Sequence, residues 1–523
     1  TWTAVSEISH AHGKKSASDK RKAVAAAVVA AGALMASSGA EADVRLGGSA
    51  VNITPDGTYN GSNRNVGVNS VVVGYQNTAS SQDGTIAYGA NNIADKNASL
   101  AVGNNNQATG GASTAMGVSS IASGEASVAI GNVAQATQIR TTAIGNRAIA
   151  SEDSATAYGN RANATALRAT AIGSEANAVD YDATAVGSKA KAMVAASVAV
   201  GNNATASEQS AIAVGQNAGA NSINAISIGV NTTATANHAL AMATDAKATG
   251  VQSVGIGSYS NASADSTVAL GQNAKAGGTG AGTAAVAVGY LADASAANTV
   301  ATGKSAAASV DNAVAVGVQS NASARAATAL GGYSAASAER ATAVGAASKA
   351  TGTASFAGGT SANAAGVNSV AVGGSMTAAE AAQAAGANSV AVGSKSNAQQ
   401  AADVAVGHGA TANGTSTGTN AEGTVNNAGS AMAIGTNAQA TGIVATAVGQ
   451  RSQALANGAV ALGGDAQAKK GSAVAIGRGS VADGISASAF GPAAQATGKY
   501  AVALGVQSQA TSEQAIALGR GAK

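Results

Sequence analysis

The residues here that could do acid–base chemistry are two histidines, His238 and His408, and scattered carboxylates such as Glu152-Asp153 and Asp180 with Asp182. Such chemistry needs groups that converge in one pocket. A carboxylate pair can in principle hydrolyse a glycosidic bond. Neither histidine lies beside a nucleophile and an acid, and single carboxylates of this kind read as solvated turn residues. His10 and His12 have the spacing of a metal pair but no third ligand near them. Cysteine is absent, which excludes disulfides and thiolate metal sites. No phosphate-binding glycine loop and no calcium-binding nonapeptide occurs. Thr142, Thr156, Thr170 and Thr184 fall in step, as an ice-binding ladder would require, but Ser197-Val198 ends the series. The sequence therefore predicts no catalytic residue, no metal site and no cofactor.

What must position any functional residue is a repeat. Ser197-Val198-Ala199-Val200-Gly201 recurs as Ala211-Ile212-Ala213-Val214-Gly215 and again as Ala225-Ile226-Ser227-Ile228-Gly229, a step of 14. The register runs through Gly103, Gly117, Gly131, Gly145, Gly159, Gly173, Gly187, Gly201, Gly215 and Gly229. It continues to Gly519, with Ala243 in place of one glycine, and gives about thirty coils. Composition agrees with a narrow interior: aromatic residues are 2% of 523, and Gly is 68. A hydrophobic share of 46% argues against a disordered chain.

Alanine favours helix. A glycine in every coil, β-branched residues, frequent asparagine and period-two alternation favour strands instead. Each coil reads as two short strands and two turns, with the glycine taking a turn conformation closed to other residues. The small residue two places before the glycine points inward. The larger residue one place before it (Val200, Val214, Ile228, Val372, Val392 and Ile434 among others) then points outward. Repeated over about thirty coils, these side chains form an apolar stripe, each worth roughly 1.5–3 kcal/mol if buried. Exposed, the stripe would be a large apolar patch, and closed self-association is the economical way to cover it.

Residues 1–42 read as an export leader: Lys20-Arg21-Lys22, the apolar run 23–36, and a small-residue site with cleavage expected after Ala42. Residues 43–64 are a lead-in, and 65–523 are coils. The leader carries a net charge of +2 of the chain's +3, so no nucleic-acid partner is expected. The register breaks near 274–284, near 375–386, and near 410–428, where a degenerate coil is expected. Insertions of this kind map to loops on one face, as tolerated drift or as a binding surface.

The coil Asn388-Ser389-Val390-Ala391-Val392-Gly393, its near copy at 368–373 and the looser Asn69-Ser70-Val71-Val72-Val73-Gly74 resemble the head repeat of YadA-like trimeric autotransporter adhesins. The resemblance covers nearly all of 65–523. The segment before the leader's basic cluster looks like the second half of that family's extended signal region. The resemblance implies an all-β, left-handed parallel β-roll solenoid packed as a homotrimer. At about 4.8 Å per coil this would be a rod of roughly 140–150 Å. It also implies a bacterial cell-surface adhesin, held at the outer membrane by a C-terminal anchor that this chain lacks. Host extracellular matrix or a cell-surface receptor is the expected partner. The family associates Asn-Ser-Val-Ala-[IV]-Gly-x-x-Ser coils with collagen, and Asn388 to Gly393 with Ser396 match that pattern. A neck, a heptad stalk and terminal barrel strands are not found, so a fragment is expected. The competing readings are a spacer without a receptor and, more remotely, a carbohydrate-active β-helix enzyme.

Overall fold

A computed structural model describes residues 50–53, 64–65, 70–80, 84–277, 284–415 and 429–523. The leader, its cleavage site, His10 and His12 lie outside them, as does most of the lead-in. The described chain is all-β, a parallel solenoid of about 30 turns with two strands in nearly every turn. It holds one 3-10 turn, Ala378–Glu380, and no α-helix among the described residues. Two units divide it, Thr1–Ala220 and Asn221–Lys523.

One coil of the first unit shows how the sequence builds the turn. Val198–Val200 is the long strand, and Gly201 follows at φ +133. Asn203 takes φ +56, Thr205–Ala206 is the short strand, and Ser210 takes φ +55 before the next long strand. Ser197, Ala199, Ala204 and Ala206 point into the coil and are fully buried. Val198, Val200 and Thr205 alternate with them and face outward. The second unit repeats this at Val314–Val316, Gly317 and Asn321–Ala322. The interior is almost entirely Ala, with Ser, Thr and Asn at some inward places; Val72 is its largest buried side chain.

In most coils two of the three left-handed positions are not glycine, Gly409, Gly458 and Gly479 being exceptions, a feature the repeat's glycines hide. Arg147, Arg161, Lys189 and Asn217 all take φ near +55. A non-glycine residue costs roughly 1–2 kcal/mol there. The neighbouring coil fixes the conformation: the Asn203 N–H donates to Ser188 O at 2.9 Å, and the Ser210 N–H to Ala195 O at 3.0 Å. Stacking thus over-determines a strained backbone.

The first coils carry an interior amide ladder. Asn92 Nδ2 donates to Asn77 Oδ1 and Asn106 Nδ2 to Asn92 Oδ1, both at 2.9 Å. Each amide also donates to the glycine carbonyl of the next coil, Gly103 O and Gly117 O, at 2.7 Å. Long strands here run past the glycine, as in Leu100–Asn104, whereas later ones such as Thr142–Ile144 stop before it.

All three register breaks lie in the second unit, and they do not share an edge as expected. Lys275–Ala276 pairs with Asp293–Ala294, so that insertion leaves from the turn after the short strand. At 373–393 the extra residues instead lie between Gly373 and the regular short strand Gln383–Ala384, on the glycine turn. Most of the stretch expected to be a degenerate coil lies outside the described residues, and the strands on its two sides pair with each other. Val404–Val406 pairs directly with Met432–Ile434, and Thr411–Ala412 with Gln439–Ala440. The Gly429 N–H donates to Gly414 O, so the described residues on the two sides of this stretch meet.

Candidate functional site

The long strands carry two outward columns of side chains, one more than the spacing argument used. Val200 aligns with Val214, and beside them Val198 aligns with Ile212. In the second unit Ile228 aligns with Met242 and Ile226 with Leu240. Val372 aligns with Val392 and Val370 with Val390, and Ile434 with Val406 beside Met432 with Val404. None of the six interface residues named from sequence enters the core: Val372 is exposed, and the other five are half-buried. The second column was readable, because period two in a three-residue strand turns both ends to the same side.

The short strands present the opposite chemistry. Their outward residues include Lys191 and Thr205 in the first unit and Lys247, Asn261, Lys275, Lys349 and Gln453 in the second. In most coils the long-strand side is therefore mainly aliphatic, with Thr in one column as at Thr142, Thr156, Thr170 and Thr184, and the short-strand side mainly polar, with Ile93, Ile121, Ile149 and Val481 among the exceptions. A third surface lies on the glycine turn of the second unit. Tyr259, Tyr290, Leu291, Val318 and Tyr333 are exposed there within six successive coils, and Lys304 Nζ stands 6.0 Å from the Tyr290 ring.

The ten glycines named from sequence all occupy the turn, with φ between +122 and +151. At Gly201 a Cβ would also lie 2.5 Å from Gly215 O of the next coil.

The coil matched to collagen binding does not gather its residues on a surface. Ser389, Ala391 and Ser396 are fully buried. Ser389 Oγ donates to Gly386 O and Ser396 Oγ to Gly393 O, both at 2.7 Å, and both hydroxyls hold turns of their own coil. Gly393 is the turn glycine. Asn388 is exposed and accepts from Asn368 Nδ2 at 3.1 Å, while Val390 and Val392 face outward.

The titratable residues are likewise dispersed. His238 and His408 are both exposed, on opposite turns of their coils. Asp153 Oδ1 accepts from the Ile139 N–H, and Asp180 Oδ1 from the Tyr181 N–H. Asp182 takes both ends of the Arg168 guanidinium at 2.6 and 2.7 Å, which holds its carboxyl below the usual range. Among the described residues no three His, Asp or Glu side chains gather as metal ligands would. One carboxylate escaped sequence reading: Asp403, fully buried where other coils carry Ser, Thr or Ala.

The YadA head domain repeat (2 copies) matches this chain in sixteen stretches between residues 66 and 522, which together cover most of it. The chain belongs to the YadA head family. Membership makes it an adhesin-like bacterial surface protein of a family that typically forms trimers. The matches skip 275–310 and 397–426, where two of the three breaks in the YadA head register lie. A comparison with curated proteins finds no match.

Proposed function

We propose that this chain is the non-catalytic head of an exported adhesin that self-associates as a homotrimer through its long-strand face and attaches to host matrix or a cell-surface receptor. The observation that carries the reading is the mainly aliphatic two-column face of the long strands, opposite a mainly polar face. An alanine interior supplies little burial, about 0.8 kcal/mol per methyl group, so the outer valines and isoleucines are the larger reserve. Covering them with identical chains uses that reserve at every coil. Repetition also makes many weak receptor contacts add up. The exposed tyrosines of the glycine turn offer apolar contact area of the kind enriched in binding surfaces.

Export, outer-membrane anchorage and collagen as receptor rest on the family resemblance. The burial of Ser389 and Ser396 favours a structural role for that motif, and with it the spacer as the second reading. Light scattering of the leader-free protein tests self-association; a stable, folded, soluble single chain would overturn it. A matrix-protein and glycan array separates adhesin from spacer, the spacer being retained if nothing on it binds.

A further inference from the structure

The Asp403 carboxylate is enclosed where Val404–Val406 pairs directly with Met432–Ile434 although residues 415–428, a stretch of 14 beyond the regular step, come between them in sequence. It accepts three backbone hydrogen bonds. Oδ2 receives the Gln400 N–H at 2.8 Å and the Gly414 N–H at 3.1 Å, and Oδ1 receives the Ala431 N–H at 2.9 Å. Gly414 and Ala431 lie on the two sides of this stretch in sequence. In unbroken coils the N–H at the place of Ala431 donates to the carbonyl three residues earlier, as Ala445 does to Gly442 O at 3.1 Å. At Ala431 the N–H donates instead to the carboxylate of Asp403 on the preceding coil. Elsewhere the residue at the place of Asp403 is Ala, Ser or Thr, and where a hydroxyl there donates, as in Ser389 and Thr299, it does so inside its own coil. Only a side chain with several acceptor sites serves three donors, and a carboxylate offers about four. A buried charge is tolerated when it is hydrogen-bonded in this way.

We propose that Asp403 is a positioning residue that splices the solenoid across an inserted stretch. It closes the base of the insertion and keeps Val404–Val406 in register with Met432–Ile434, so that the aliphatic face continues past it. The inference is independent of which receptor the head binds and of whether it trimerises.

The test is amide hydrogen exchange, read residue by residue, on the leader-free chain and on Asp403→Ser. Exchange at Gly414 and Ala431 is expected to rise about ten-fold or more, since hydrogen bonds to a charged group are lost. Ala445, one coil on, is expected to keep its protection. A uniform rise over neighbouring coils, or none at Ala431, overturns the proposal. A second variant removes residues 415–428, which restores the step of 14. In that background Asp403→Ser is expected to leave exchange unchanged or slower; a rise equal to that in the full chain also overturns it.

Discussion

The Phe356 ring lies over Gly358 on the same strand: a Cβ built on Gly358 would come within 2.8 Å of Phe356 Cε1. The two occupy the outward columns where other coils carry a pair of branched aliphatics, such as Val370 and Val372 in the next coil. One large and one absent side chain together fill the space of two medium ones.

That exchange predicts coupling. Gly358→Val alone drives the ring aside and is expected to destabilise by about 1–3 kcal/mol, the usual cost of overpacking. Phe356→Val alone leaves the surface over Gly358 uncovered. The double variant restores the common pair and should be less destabilised than the sum of the singles. Denaturant unfolding of all four proteins gives the interaction energy; strict additivity would mean that the ring does not cover Gly358.

The two-sided coil makes a paired prediction about association. Val198→Lys and Val200→Lys place charges on the aliphatic face and are expected to shift the mass seen by light scattering toward the single chain. Each forfeits about 1.5–3 kcal/mol of burial per chain. Thr205→Lys, on the polar face of the same coil, should leave the mass unchanged, as Lys191 on the adjoining coil already stands there. Equal effects from both faces would remove the long-strand face from the interface.

The step of 14, the strand character and the inward alanines were legible because each follows from a residue type recurring at a fixed offset. Valine beside Gly201 and alanine before it leave little choice of face. The left-handed turn positions were not legible, since Arg147 and Lys189 carry no local preference for positive φ and take it only because the adjoining coil holds their N–H. The splice at Asp403 left a trace that could have been used: a lone Asp where Ser, Thr or Ala is usual, just ahead of the longest break in the register. That Ser389 and Ser396 are turn-holding residues needed coordinates, because a serine reads alike whether its hydroxyl faces a receptor or its own backbone.

The glycine column predicts opposite effects at two places. Gly201→Ala meets both an unfavourable φ of +133 and a Cβ 2.5 Å from Gly215 O, so it should destabilise by about 2 kcal/mol or more. Ala243 already occupies the column at φ +90, and a Cβ on Gly229 would be 2.8 Å from the Ala243 carbonyl carbon. The backbone strain of a side chain at positive φ remains there, so Ala243→Gly should stabilise by about 1 kcal/mol. Denaturant midpoints at constant slope check both.

The Arg168–Asp182 pair predicts a small acid-side effect. The hydrogen bond from Arg168 holds the Asp182 carboxyl below its ordinary value, and burial opposes this more weakly. A carboxyl depressed in the folded state contributes stability that is complete above the unfolded value, about 3.9. That contribution fades as pH falls through the lower folded value. Both side chains are exposed, so the contribution is screened and modest. The stability difference between the native chain and Asp182→Asn should therefore be present at neutral pH and shrink below about pH 4. In an NMR titration Asp182 should ionise below the free-aspartate range and move back toward it in Arg168→Gln; an unchanged titration in that variant would mean that the pair does not persist in solution.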